Sequence, residues 1–129
     1  MFYSLMAIAL GATLGAWARW GLSLWLNSLG SALPLGTLVA NLSGGYAIGV
    51  AMAVFGAQPG LAPEWRLFVV TGLLGGLTTF STFSAETVAL LMRAQYGWAF
   101  ATAAAHLLGS LAMTALGLWT VRGLRLIVS

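Results

Sequence analysis

The chain has 129 residues, 60% hydrophobic and only 5% charged, whereas an ordinary soluble domain is about a quarter charged. So few charges cannot cover a water-exposed surface, which excludes a soluble enzyme and makes lipid the solvent for most of the molecule. The formal charge of +3 is a scatter of five arginines against two glutamates, not a patch suited to nucleic acid, and the lack of cysteine excludes disulfides and thiolate chemistry.

The first apolar segment covers residues 3–26. Its start, Met1 to Leu10, has no basic flank and runs on as apolar helix, so it reads as a retained span and not a cleaved signal. Three more follow, at residues 35–55, 65–92 and 98–121, separated by stretches rich in Asn, Ser, Gly and Pro or by the short polar run from Arg93 to Gly97. Together they predict an all-α integral membrane protein, one four-helix transmembrane domain over residues 1–129. Phe2, Tyr3, Trp20, Trp25, Trp65, Tyr96, Trp98 and Trp119 gather at the expected span ends, where amphipathic rings meet headgroups.

Basic residues near short loops set orientation. Arg66, Arg122 and Arg125 fall on the side of the N-terminus, against Arg93 and Arg19 on the other. So even a balance allows insertion both ways, and then pairing of inverted copies; the alternative is a fixed topology set by other steps of insertion. Gly11 with Gly15, and Gly45 with Gly49, are four apart and let helix backbones approach in lipid. Four short helices enclose too little for a pore of their own, so a dimer at least is expected.

In the second span, Asn41 is costly in hydrocarbon unless hydrogen-bonded, and its amide could donate to an anion. The third span contains the run Gly72 to Ser84, where glycines weaken the helix and clustered Thr and Ser can bond freed backbone groups. This predicts a helix broken near Thr78, at the bilayer midplane, with the carbonyls of Gly75 and Thr78 released toward a hard cation; a simple glycine kink is the competing reading. Beyond the break Phe80 and Phe83 share a face, beside a polar stripe of Thr79, Thr82 and Glu86. Ring edges carry partial positive charge and can stabilise an anion. His106, Ser110 and Thr114, four apart on the fourth span, draw a polar line that serves either a path or helix packing. Arg19 can snorkel to the interface, and Glu86 can pair with an arginine or line a vestibule. No set of residues matches a hydrolytic or metal-site spacing.

Gly11 to Trp20, Gly36 to Gly44 and Gly72 to Phe83 together resemble the small bacterial fluoride channels of the Fluc or CrcB family. Trp20 stands where tyrosine would be expected. The resemblance implies passive fluoride export across a bacterial inner membrane by an antiparallel, dual-topology homodimer with two pores and a central structural sodium ion. It would make Asn41 a pore donor, Phe80 and Phe83 the fluoride-facing rings, Ser110 and Thr114 a polar track, and Gly75 and Thr78 the sodium ligands. Ser81 and Thr82 would border the path, with Arg19 and Glu86 near its vestibules. Two rivals remain: a proton-coupled multidrug exporter, which needs an acidic residue absent from the first span, and a noncatalytic subunit of a larger complex, which would not conduct alone.

Overall fold

A computed structural model describes residues 1–128. Its first helix, α1 (Phe2–Leu26), ends in a single 3-10 turn, Asn27–Leu29, and a left-handed Gly30. The side chain of Asn27 then accepts the N–H of Gly36 at 2.9 Å, tying the first turn of α2 (Leu35–Gly56) to the end of α1. Pro63 opens α3 (Pro63–Arg66) with a fixed φ and no wasted donor, and Glu64 in that turn suits the positive end of the helix.

The same stretch continues as a π-helical segment, Leu67–Leu74, then as α4 (Gly75–Leu77). Thr78 and Thr79 are extended, with ψ of 155° and 116°, before α5 (Phe80–Met92) begins. Ala94, at a φ of 58°, turns the chain out of α5. There the N–H groups of Ala94 and Gln95 bond the carbonyls of Leu91 and Leu90, closing off the helix end. The last helix, α6 (Tyr96–Val128), has 33 residues and runs seven past the end expected from hydropathy. Four stretches are long and apolar enough to cross a membrane: Phe2–Leu29, Leu35–Gly56, Pro63–Met92 and Tyr96–Ile127. The turns between them are too short to recross a bilayer, so successive spans alternate in direction.

Packing relies on small residues, because lipid tails are as apolar as leucine and give helices no hydrophobic reason to associate. A Cβ on Gly11 or Gly15 would run into backbone at Phe68 or Leu73, and one on Gly72 or Gly76 would meet α1 at Ile8 or Ala12. Across the molecule, Gly45 and Gly49 lie against the backbone of Ser110 and Thr114, while Gly117 lies against Tyr46. The residues shielded from solvent are accordingly few and mostly small, Ala40, Ala51 and Ala99 among them. Trp17, Phe100, Leu108 and many other large apolar side chains face outward, as lipid requires.

Candidate functional site

The interruption at Thr78 and Thr79 frees backbone groups that a continuous helix would satisfy, and neighbouring helices take them up. The N–H of Thr79 would bond the carbonyl of Gly75 in a regular helix; here it donates to Asn41 Oδ1 at 2.7 Å. Asn41 Nδ2 in turn donates to the Thr79 carbonyl at 3.0 Å. One amide thus grips one residue by both its donor and its acceptor, as an adjacent β-strand would. The carbonyl of Gly76 accepts from Arg19 Nε at 3.0 Å. Arg19 therefore reaches inward from α1 to the break, and does not simply extend toward the interface.

The second hydrogen on Asn41 Nδ2 points to His106 Nδ1, 3.0 Å away. Because the two bonds to Thr79 fix which end of the amide is nitrogen, Nδ1 of His106 must be the acceptor. The neutral ring then carries its proton on Nε2. His106 is buried, and the ring of Phe83 stacks on it at 4.6 Å with 27° between planes. Phe80 meets Phe83 edge to face at 5.3 Å. The two phenylalanines, alike in sequence, differ in setting: Phe83 is wedged against His106, whereas Phe80 is 77% exposed.

Thr79 also caps the helix that follows. Its Oγ1 accepts the N–H of Thr82 at 3.1 Å and donates to Thr82 Oγ1 at 3.0 Å, with Ser81 Oγ 3.2 Å away. A hydroxyl cap of this kind satisfies one of the orphan donors at a helix start and leaves the positive end of α5 beside the break.

These elements surround a groove of about 700 Å³ open on one side. Of the residues expected to carry function, Asn41, Gly75, Thr78, Phe80, Phe83, Ser110 and Thr114 line it. Gly44 admits the methyl of Thr78 where a Cβ would collide with it. Thr114 Oγ1 donates to the Ser110 carbonyl at 2.9 Å, leaving the hydroxyl oxygen as an acceptor. Ser81, Thr82, Arg19 and Glu86 are not part of the groove wall. Glu86 accepts from Thr37 Oγ1 at 2.6 Å, and its other oxygen is buried without a partner. Thr79 entered only as part of a polar stripe, and Thr37 was not among the expected site residues. His106 stood out as one member of a polar line; nothing in the sequence pairs it with Asn41, 65 positions away.

Among the described residues no group of three or more His, Cys, Asp or Glu side chains could hold a metal. Any cation near the break must therefore be held by carbonyl and hydroxyl oxygens, which suits a hard ion. Gly75 and Thr78 fit that role: the Gly75 carbonyl has lost its usual donor to Asn41, and both residues line the groove.

Residues 6–118 match the family described as CrcB-like protein, Camphor Resistance (CrcB). The chain is similar to a protein of Burkholderia lata named fluoride-specific ion channel FluC, at 62% identity over 122 residues and 95% of both chains. A protein of the same name from Burkholderia cenocepacia matches at 62%, and one from Burkholderia thailandensis at 57%, each again over 95% of both chains.

Proposed function

Because the chain belongs to the CrcB family, we propose that it is a fluoride channel of a bacterial inner membrane, conducting passively through two pores in an antiparallel homodimer. The similar proteins are named as channels, which places the chemistry in conduction and not in catalysis. The observation that carries the reading is the groove beside the extended residues Thr78 and Thr79, where Asn41, Phe80, Phe83, Ser110 and Thr114 meet.

The third span is read as one membrane crossing broken near mid-bilayer, and its two halves present opposite polarity. The positive end of α5 and the edges of Phe80 and Phe83 favour an anion. The carbonyls released from α4 favour a cation. Transporters use interrupted helices in this way. Fluoride is small and strongly hydrated, so a conducting path must replace water by close donors without one charge tight enough to trap the ion.

Both N–H groups of Asn41 are already committed, to Thr79 and His106. It can therefore donate to fluoride only by releasing one of them, and the bond to His106 is the one whose loss leaves the break intact. Two inverted copies meeting at the open groove would bring two Gly75 and two Thr78 carbonyls together as ligands for a sodium ion. Bound there, a sodium ion would compensate the exposed carbonyls and tie the copies together. Gly75 is itself solvent-exposed in the single chain, as a partner-facing position requires. The near-even arginine balance supports insertion in both directions.

Purified protein in liposomes should release fluoride faster than chloride, read with ion-selective electrodes. Equal rates, or none above protein-free vesicles, would remove the proposal. Labelling of a C-terminal tag from both faces of intact cells tests the inverted pair, and labelling from a single face would exclude it.

A further inference from the structure

A second groove, of about 270 Å³, lies where the ends of α2 and α6 come together, lined by Met52, Ala53, Leu118, Val121, Arg122 and Arg125 along with the last residue of α2 and the one that caps it. We propose that it holds an anionic phospholipid, the two guanidiniums on its phosphate and Met52, Leu118 and Val121 along its acyl chain. The groove shares no lining residue with the one beside the break, and its two arginines follow the residues that match the family, 6–118.

Depth in the membrane is set by the length of α6. Its 33 residues span about 50 Å at the rise of an α-helix, against a hydrocarbon core of about 30 Å. With Trp98 at one interface, a crossing of about 30 Å ends near Trp119, another exposed ring. Arg122 and Arg125 then sit roughly 4 and 9 Å farther out, at the level of lipid phosphates. They are three positions apart, so they share a face of the helix, and both are exposed. Among the described residues no acidic side chain lines the groove. The carbonyls at the end of α2 offer about half a negative charge, too little to neutralise two guanidiniums. An apolar floor that leads from the hydrocarbon to a paired cationic rim has the shape of a two-part amphiphile, and a free anion would leave the floor unused.

Protein stripped of lipid in neutral detergent would be titrated with phosphatidylglycerol or phosphatidylcholine and followed by native mass spectrometry. Phosphatidylglycerol should be retained in preference to phosphatidylcholine. Replacement of Arg122→Gln and Arg125→Gln should weaken it about fivefold each, whereas Arg93→Gln, an exposed arginine at the end of α5, should leave it unchanged. Met52→Trp, which fills the floor and keeps both charges, should also weaken retention. Each variant is compared at an unaltered melting temperature without lipid. Equal retention of the two lipids, an Arg93 effect as large as the others, or displacement by millimolar inorganic phosphate would overturn the proposal.

Discussion

The seam between α2 and α6 and the third span use the same materials, glycine, small polar residues and leucine, to opposite ends. Along the seam, Gly45, Gly49 and Gly117 bring two unbroken helices into backbone contact, and each helix satisfies its own hydrogen bonds. In the third span the regular ladder is lost twice, in the π-helical stretch Leu67–Leu74 and at Thr78 and Thr79. There the freed groups are met by side chains from other helices: Asn41 from α2 and Arg19 from α1. Small residues therefore serve cohesion where the backbone is complete. Where it is not, they make room for polar side chains to complete it, and polar groups collect at that place.

The contrast predicts that substitutions along the seam abolish folding, whereas substitutions at the break abolish conduction before they abolish folding. Gly49→Val, whose side chain would enter the backbone at Thr114, should cost about 3 kcal/mol or more and yield little monodisperse protein in detergent. A folded but non-conducting Gly49→Val protein would erase the distinction.

Asn41→Ala comes next. It removes both bonds to Thr79 and the contact with His106, at about 2–3 kcal/mol for a part-buried network left unpaired, and should stop fluoride efflux from the surviving folded fraction. Asn41→Asp keeps an acceptor for the Thr79 N–H but turns its second oxygen toward the Thr79 carbonyl and His106 Nδ1, so it should cost at least as much, about 2–3 kcal/mol, while suppressing flux as fully. Thermal unfolding and efflux on the same preparation separate the two quantities.

The four spans were legible because hydropathy reports directly on lipid exposure, and Gly11, Gly15, Gly45 and Gly49 were legible as contact points because only small residues allow such approach. The run from Gly72 to Ser84 pointed to an irregular place in the chain. What completes it was not legible. Asn41 and Thr79 are 38 positions apart, and Arg19 and Gly76 are 57 apart; such pairings depend on how α1 and α2 are rotated, and periodicity does not specify rotation. The π-helical stretch was not legible either, since the apolar run from Leu67 to Leu74 carries no spacing that separates it from an α-helix. The last turns of α6 were missed because arginines end an apolar pattern without ending a helix.

A smaller effect is expected at Arg19, whose bond to the Gly76 carbonyl is single. Arg19→Leu should lower stability by about 1–2 kcal/mol, and chemical denaturation in detergent would read it. The smallest lies outside both regions. Ala94 holds a left-handed conformation that glycine adopts freely, so Ala94→Gly should raise stability by about 0.5–1 kcal/mol without touching flux.

The central claim is that the groove beside Thr78 and Thr79 is the path of the ion, and Phe80 tests it with the least interference from folding. Its ring lines the groove yet is largely exposed in the single chain, so Phe80→Ile keeps apolar bulk while deleting the electropositive ring edge. Fluoride efflux from liposomes containing the monodisperse Phe80→Ile protein should fall more than tenfold below wild type at an unchanged melting temperature. Wild-type efflux from that variant would contradict the assignment of the path.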